Sequence, residues 1–436
     1  MKVYIETYGC RMNICDSEVL MGILTPHGYQ YTFQVEKADV VVLNCCSVRE
    51  IGHTKIYRRI EELEKVLSKD VVLCLAGCMS TQLDCSRSWP LPRVQIIIAP
   101  TAYKELPQAI CRIKNGEEQH LYIDGKHPEE VYDDILPVRF LEDRITAAVT
   151  IMKGCDQYCS YCIEPYTRGQ RVNRNYDSII NEVKEIRLKQ YKEITLFGHI
   201  VDLWEGEKNH VKISFANLLE DLAEKCPHLR IKYISSHPLT YTDEIVRVVK
   251  THQNIMRVVH LPVQSGSDAV LQRMNRRYTI RQFLQRIESI LNILPDLQII
   301  TDVMVGFPGE TENDFLMTID MLKHFNCADA NVFPFSMRQG TFANKHYQDD
   351  VPDNVKEERV QVIKEQIAAM RTSQQRKLIG STLSVIAERH DTDYWYGRDS
   401  YHRTVIFPFA GNIREGQCCE ILIDSIRNKQ LFGTMS

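Results

Sequence analysis

The chain has 436 residues, of which 44 % are hydrophobic and 25 % charged, and its formal net charge is −4. This is ordinary globular composition, which excludes disordered and collagen-like classes. The length exceeds what one compact core accommodates and predicts about two to four domains. The slightly acidic balance excludes RNA binding by bulk charge, so an RNA partner would have to meet local basic patches.

Fifteen cysteines are the unusual feature of the composition. The N-terminus lacks the apolar core of a secretory signal, and no run approaches the roughly 20 apolar residues of a membrane span. We therefore expect a cytoplasmic protein with no membrane partner. Thiols stay reduced in that compartment, so clustered cysteines there indicate metal ligands or redox groups.

Residues 1–113 are predicted to form a doubly wound α/β domain, because apolar strands alternate with helices. The predicted strands cover 3–8, 38–44, 71–75 and 95–98, and the predicted helices cover 16–24 and 49–68. Cys10, Cys46 and Cys78 each follow the carboxyl end of one of these strands. Ligands bind at that edge of open α/β sheets, so the three thiols should converge. The alternative is three unrelated buried cysteines.

Residues 114–140 are polar and are predicted to be a linker. Residues 141–375 are predicted to hold a partial (β/α)6 barrel followed by a helical connector. Its predicted strands cover 147–152, 193–198, 230–235, 258–263, 298–305 and 330–335, and the connector covers 351–378. Residues 376–436 are predicted to be a small antiparallel β-barrel, with strands at 383–388, 404–407 and 419–424.

The strongest motif is Cys155, Cys159 and Cys162, spaced C-x-x-x-C-x-x-C directly after the first barrel strand. Thiolates are soft ligands suited to iron–sulfur clusters or zinc. A 4Fe-4S cluster needs four ligands, and this loop offers three, which leaves one iron open to another molecule. Structural zinc is the alternative, but zinc sites commonly use paired C-x-x-C motifs, and no second pair is present.

This loop, with Tyr161 before its last cysteine, resembles the radical S-adenosylmethionine (SAM) pattern. Further motifs resemble the methylthiotransferase family, in the same order and over nearly the whole chain. These motifs are residues 9–13, 44–50, 77–79, 165–169, 262–268 and 306–311. The last domain resembles that family's RNA-binding TRAM domain.

The resemblance implies insertion of a methylthio group at carbon 2 of an isopentenylated adenosine next to the tRNA anticodon. SAM would serve as methyl donor and as radical source, with two 4Fe-4S clusters. Cys155, Cys159 and Cys162 would hold the radical cluster, and Cys10, Cys46 and Cys78 the cluster that carries the inserted sulfur. Threonylcarbamoyl-adenosine in tRNA and a ribosomal-protein aspartate are the alternative substrates. A non-catalytic RNA-binding iron–sulfur protein is the alternative of another class.

Strand-end residues are the candidates for binding SAM in the barrel. The set is Tyr161, His199, His237, Gln264, Ser265 and Glu310. The sequence departs from the family pattern at three places. His199-Ile200 replaces Gln-Asn, Glu164 replaces an aliphatic residue, and Cys45 replaces Thr. Cys45 is expected to be a neighbour of the cluster and not a ligand.

Arg398, His402 and Arg403 lie among aromatic residues of the last domain and are the candidates for RNA binding. Other basic groups, at 58–59, 168–174 and 276–277, are interpreted as solvated surface. The implied partners are the tRNA anticodon stem-loop, an electron donor such as flavodoxin or ferredoxin, and a sulfur source. We expect a monomer. No catalytic acid or base is identified from the sequence.

Overall fold

The structure is a computed structural model that describes residues 1–46, 50–83, 85, 89–125, 129–140 and 145–436, with the backbone alone for 50–53. Motif residues 47–49, where the second predicted helix begins, lie outside the described residues. The predicted mixed α/β architecture is confirmed, with an N-terminal sheet domain, a central partial barrel and a small C-terminal barrel.

The N-terminal domain is a parallel sheet with helices on both faces. Its elements are β1 (Lys2–Thr7), α1 (Arg11–Leu24), β2 (Gln30–Tyr31), β3 (Val40–Asn44), α2 (Glu50–Val66), β4 (Val72–Ala76), β5 (Ile96–Ile98), α3 (Leu106–Lys114) and β6 (Leu121–Ile123). Among the described residues the strand order is β2-β1-β3-β4-β5-β6. β3 and β4 are wholly buried because apolar clusters cover both faces of the sheet.

β6 lies inside the segment that was predicted to be a linker. It pairs with β5 in the register Ile96↔Leu121, so this part of the prediction was wrong. A three-residue strand at the edge of a sheet, surrounded by polar residues, carries too little periodicity to be recognised from sequence. The domain boundaries at 113 and 140 remain predictions.

The central domain contains the six predicted parallel strands. Its elements are β7 (Thr146–Thr150), β8 (Met152–Lys153), α4 (Glu164–Thr167), β9 (Val172–Asn173), α5 (Tyr176–Leu188), β10 (Glu193–Phe197), β11 (Glu205–Lys208), β12 (Val211–Ser214), α6 (Phe215–Lys225), β13 (Arg230–Tyr233), α7 (Asp243–Thr251), β14 (Val258–His260), α8 (Asp268–Arg273), α9 (Ile280–Ile293), β15 (Gln298–Val305), α10 (Glu312–His324), β16 (Asp329–Pro334), α11 (Phe342–His346) and α12 (Asp353–Arg376). Ser214, Thr279 and Thr311 begin α6, α9 and α10 with capping boxes.

The barrel consists of two three-stranded parallel sheets, β13-β10-β7 and β14-β15-β16, in the described residues. Main-chain hydrogen bonds join them, from Met256 N to Ile231 O at 2.9 Å and from Ser236 N to His260 O at 3.2 Å. The amphipathic helices cover the outer face, where a large apolar cluster forms the core. Each strand therefore delivers the residue after its carboxyl end to one common edge, where ligands bind in such folds.

The N-terminal domain closes onto this edge of the barrel. Met12 and Cys15 of α1 form an apolar cluster with Phe197 at the end of β10, and Ala148 and Ile234 pack against it. This contact places the loops after β1, β3 and β4 opposite the loop after β8.

The C-terminal domain is a closed barrel in the order β17-β18-β19-β21-β20. Its strands are β17 (Thr382–His390), β18 (Tyr394–Asp399), β19 (Thr404–Pro408), β20 (Cys418–Arg427) and β21 (Gln430–Met435). It packs against the amino ends of the barrel strands, where Arg257 N donates to Ser400 O at 3.1 Å and Tyr401 Oη donates to Asp296 at 2.6 Å. It therefore lies at the end of the barrel opposite the cysteine loop. Within the described chain, no helix has the length and apolarity to cross a bilayer.

Candidate functional site

The structure brings the three N-terminal cysteines to neighbouring strand ends, as predicted. Two glycines permit this approach. Gly9 has φ +112°, and a Cβ on it would lie 2.1 Å from the Cβ of Cys46. Gly77 has φ +87°, and a Cβ there would lie 2.5 Å from the carbonyl oxygen of Cys45. Glycine adopts such backbone angles without strain and leaves space for the neighbouring loop. We call Cys10, Cys46 and Cys78 the N-terminal triad.

Two buried asparagines hold the first two of these loops together. Asn44 Nδ2 donates to Asn13 O at 2.7 Å, and Asn13 Nδ2 donates to Asn44 Oδ1 at 3.1 Å. The Cys10 thiol in turn donates to Asn13 Oδ1 at 3.2 Å. Cys45 points away, because its thiol donates to Leu43 O at 3.4 Å inside an apolar cluster. It remains a neighbour of the triad and not a candidate ligand.

The loop with Cys155, Cys159 and Cys162, the barrel triad, is fixed by hydrogen bonds from several elements. Cys155 N donates to Gly169 O at 3.1 Å, and Ser160 N donates to Met274 O at 3.0 Å. Ser160 Oγ adds a second bond to the carbonyl of Arg273 at 2.8 Å. The loop is thus pre-organised by α8 and by the segment after α4.

Arg168 joins the two triads. It lies six residues after Cys162, is 1 % exposed, and its Nε donates to Cys78 Sγ at 3.0 Å. Its other nitrogens reach Asp16 at 2.5 Å and Asn13 Oδ1 at 3.3 Å. A guanidinium from the barrel domain therefore contacts a sulfur, a carboxylate and an amide of the N-terminal domain. The two cysteine sets face one site.

The sulfur spacing fits a cluster better than a single ion. In the described residues, no three cysteine sulfurs all lie within 4.8 Å of one another. Three thiolates on one tetrahedral zinc, each at about 2.3 Å, would lie about 3.8 Å apart. Neither triad therefore has its three sulfurs grouped as closely as a single zinc ion requires, and thiolates are also the ligands that iron–sulfur clusters prefer.

Burial favours the protonated form of the Cys155 and Cys78 thiols. Burial raises the pKa of Cys155 to about 11 and that of Cys78 to about 12, against the neighbouring charge of Arg168. Metal binding must then displace these protons. Two arginines each place a cation against the sulfur of a candidate ligand, Arg168 at Cys78 and Arg276, whose Nη1 lies 3.6 Å from Cys159 Sγ.

Among the SAM candidates, His199 is tied most directly to the barrel triad. It follows β10, and its Nε2 lies 3.1 Å from a carboxylate oxygen of Glu164, two residues after Cys162. Burial acts to raise the pKa of Glu164, but the hydrogen bond and charge of His199 lower it to about 2. Two of the expected departures from the family pattern, His199 and Glu164, are therefore partners in one pair.

His237 reaches the same loop through a chain of contacts. Its ring packs edge-on against Tyr278 at 5.6 Å, and the Arg276 guanidinium lies 5.1 Å from the Tyr278 ring centre. Burial and the charge of Arg276 lower the pKa of His237 to about 3, so its imidazole is neutral at physiological pH. Tyr161 is directed inward, with its ring against Phe307.

Three further SAM candidates follow barrel strands, namely Gln264, Ser265 and Glu310. Their side chains are not equally available to contact SAM. Gln264 has φ +78°, and Ser265 is wholly buried with Oγ accepting from Ser267 N at 3.2 Å. The Glu310 carboxylate accepts from Gly306 N and, at 2.9 Å, from Arg359 of α12. Glu310 thus holds the 306–310 turn to α12. A direct role for it, like the whole SAM set, remains a prediction.

The three candidate RNA-binding residues have partners within the chain. Arg398 forms two 2.8 Å hydrogen bonds with Glu388, Arg403 lies 2.5 Å from Asp399, and His402 accepts from Lys232 Nζ at 2.8 Å. Sequence patterns do not reveal such pairing. Their role in RNA binding remains a prediction, with the interface between the domains as the competing role.

Sequence reasoning missed the contacts of three arginines, of which Arg168 and Arg174 are buried and Arg276 is partly buried. Arg168, Arg174 and Arg276 were interpreted as solvated surface, which was wrong for all three, since they are engaged with Cys78, Glu182 and Cys159. The available signal was the position of Arg168 inside the 165–169 motif. Motif residues close to the candidate metal ligands should therefore be considered as site residues as well.

Comparison with known proteins agrees with this geometry. Residues 149–322 match the Radical SAM superfamily, and residues 2–98 match Uncharacterized protein family UPF0004. A tRNA-2-methylthio-N(6)-dimethylallyladenosine synthase of Parabacteroides distasonis is 35 % identical over 99 % of this chain and 95 % of its own length. That of Amoebophilus asiaticus is also 35 % identical, over 99 % of this chain and 92 % of its own.

The solved structures show the fold alone. The radical SAM methyltransferase TsrM of Kitasatospora setae has a TM-score of 0.55 at 13 % identity, covering 76 % of this chain and 72 % of that one. The barrel, its cysteine loop and the second cysteine domain define a radical SAM enzyme of the methylthiotransferase class. More closely, the chain belongs to the tRNA-2-methylthio-N(6)-dimethylallyladenosine synthase family.

Proposed function

We propose that this enzyme inserts a methylthio group at carbon 2 of an isopentenylated adenosine next to the anticodon of a tRNA. The observation that carries the proposal is the contact of Arg168 with Cys78, which brings the two triads to one site. A radical enzyme without sulfur transfer would not need a second trithiolate set there. The names of the relatives above supply the substrate.

The cofactors are SAM and two 4Fe-4S clusters, and the donor sets fit them. Three thiols per site are suited to a cluster with one open iron. When bound, these groups supply the methyl group, the sulfur and the radical. The barrel triad would hold the cluster that works with SAM, and the N-terminal triad the cluster that provides sulfur.

The chain's own residues hold and enclose these groups. Arg168 fixes the N-terminal triad against the barrel, and Met12 with Phe197 excludes water from the contact between the domains. Tyr161, His199, His237, Gln264 and Ser265 would bind SAM, and Glu310 would support them through its turn. The Nδ1 atom of neutral His237 accepts from Leu239 N at 3.3 Å, so its Nε2–H would donate a hydrogen bond to the ligand.

The partners follow from the reaction. The substrate is a tRNA anticodon stem-loop, and turnover needs an electron donor such as flavodoxin or ferredoxin and a source of replacement sulfur. We place the enzyme in the cytoplasm, where tRNAs are modified, and treat it as a monomer. Arg398, His402 and Arg403 remain proposed RNA contacts. Each would use the N–H groups that its partners within the chain do not occupy.

The relatives' names do not favour threonylcarbamoyl-adenosine or a ribosomal-protein aspartate as substrate, nor a non-catalytic binder. The deciding experiment is mass spectrometry of tRNA nucleosides from a deletion strain. We expect loss of 2-methylthio-isopentenyladenosine with accumulation of isopentenyladenosine, and restoration by the wild-type gene but not by Cys155→Ala. An unchanged methylthio level in the deletion strain would contradict the proposal.

A further inference from the structure

Arg338 lies in the turn after β16, at the edge of the barrel that carries the cysteine loop. Thr341 closes this turn, with its Oγ1 donating to Arg338 O at 2.8 Å. Ala343 N then donates to Ser160 O at 2.7 Å. The segment that carries Arg338 is thereby bonded to the loop between Cys159 and Cys162.

The Nε donor of the Arg338 guanidinium lacks an acceptor among the described residues. Its Nε is buried, and in the described part of the chain it has neither a hydrogen-bond partner nor an ion pair. Arg168 and Arg276, at the same site, are both paired, with Asp16 and with the carbonyl of Pro262. Leaving a buried donor unpaired costs free energy, so natural structures rarely do so without a reason.

The Arg338 guanidinium lies within electrostatic reach of both triads. Burial lowers its pKa, and the groups that oppose this effect are Cys162, Glu164, Cys46 and Tyr161. Cys162 belongs to the barrel triad and Cys46 to the N-terminal triad. A cation near both sets lies where the substrate base must lie if it is to receive sulfur from one side and a radical from the other.

We propose that Arg338 binds an oxyanion of the substrate in the cleft between the two triads, the favoured source being the phosphodiester beside the target adenosine. The planar fork of a guanidinium matches a phosphate in a bidentate fashion. The carboxylate of SAM offers the same chemistry and is the second source. This inference rests on the proposed function, and it makes Arg338 a substrate-positioning residue.

The test uses the full chain, reconstituted anaerobically with its clusters, as wild type, Arg338→Gln and Arg338→Lys. Arg281→Gln on α9, an exposed arginine, is the matched control. Two quantities are measured for each. One is the dissociation constant of a tRNA bearing isopentenyladenosine at several salt concentrations, and the other is the KM of SAM for 5′-deoxyadenosine formation. Iron content reports whether each variant is folded and loaded.

We expect Arg338→Gln to weaken tRNA binding roughly 10- to 100-fold. Its plot of log affinity against log salt should be shallower by about 0.7 to 0.9, the value of one phosphate contact. Arg338→Lys should keep the slope, because the charge remains, and bind with intermediate affinity. The KM of SAM should not change. A raised KM with an unchanged slope would assign the oxyanion to SAM.

The inference is overturned if Arg338→Gln matches Arg281→Gln in both quantities, whatever its methylthiolation rate. If Arg338→Gln fails to load iron, the Arg338→Lys variant is measured in its place. A wild-type tRNA affinity and a wild-type KM of SAM in Arg338→Lys would exclude a bidentate contact. Binding is measured without turnover. A protein that binds tRNA through Arg338 yet makes no methylthio product would therefore contradict the proposed function and not this inference.

Discussion

Glu164 and His199, two residues expected from the sequence to depart from the family pattern, lie 3.1 Å apart. The ring's other nitrogen, Nδ1, is buried and has no partner in the described structure. A buried imidazole held by a carboxylate on one side presents the other nitrogen in a fixed direction. The pair therefore acts as one unit that orients whatever His199 contacts.

A double-mutant cycle tests this coupling. Glu164→Leu and His199→Gln should each raise the KM of SAM in 5′-deoxyadenosine formation, because each leaves its partner unsatisfied. The double variant should be less impaired than the two effects combined, with a coupling energy of about 1 to 3 kcal/mol. Effects that simply add would show that the residues act independently.

At the residue scale, sequence reasoning identified the candidate ligands but not the side chains that contact them. The cysteine spacing and the strand-end positions were sufficient to predict Cys10, Cys46 and Cys78 as a converging set. Arg168 was not predicted because its partners, Cys78 and Asp16, are 90 or more residues away in the chain. Long-range pairing of this kind leaves no periodic signal.

At the scale of elements, the loop after β18 joins the two barrels. His402 accepts from Lys232 there, and Arg398 also contacts its ring at 3.1 Å. Burial, followed by the charges of nearby cations, lowers the pKa of His402 to about 2. The cations are Lys232, Arg398, Arg230 and Arg11.

This depressed pKa makes the interface sensitive to acid. The unfolded histidine binds a proton below about pH 6.5, whereas the folded one does not, so stability falls as the pH falls. The loss should reach about 1.4 kcal/mol at pH 5.5. Thermal unfolding at pH 7.5 and 5.5 should show a larger decrease in apparent Tm for wild type than for His402→Gln. Equal decreases would mean that His402 is protonated in the fold.

β18 also shows why element prediction was incomplete in the C-terminal domain. From the sequence, aromatic residues were placed beside Arg398 without being assigned to a strand. Tyr394, Trp395 and Tyr396 in fact alternate between faces, and Trp395 is 2 % exposed in the core. β21 was missed as well. Both strands are short and polar on one face, and only closure of the barrel specifies their pairing.

For the whole molecule, two trithiolate sets predict two clusters. Reconstituted wild type should hold about eight iron atoms, as two 4Fe-4S units. The triple variant Cys155/Cys159/Cys162→Ala should keep about half, because the N-terminal triad is formed by other loops. Iron and sulfide analysis measures this. About four iron atoms in wild type, with no loss in the variant, would contradict the assignment.

The arrangement of the three domains predicts that RNA binding and SAM cleavage are separable. The C-terminal barrel packs at the end of the central barrel opposite the cysteine loop. Deleting residues from about 381 onward should therefore weaken tRNA binding while 5′-deoxyadenosine formation continues. Filter binding at matched salt measures the first and chromatography the second. Unchanged tRNA affinity would move the RNA anchor to the other domains.

The central claim is that the N-terminal triad supplies sulfur while the barrel triad supplies the radical, and Cys46→Ala tests it most directly. The measurement is the amount of 2-methylthio-isopentenyladenosine formed per 5′-deoxyadenosine in one anaerobic reaction with SAM and isopentenylated tRNA. We expect 5′-deoxyadenosine without methylthio product from Cys46→Ala, and neither product from Cys155→Ala. Methylthio product from Cys46→Ala at the wild-type ratio would contradict the account.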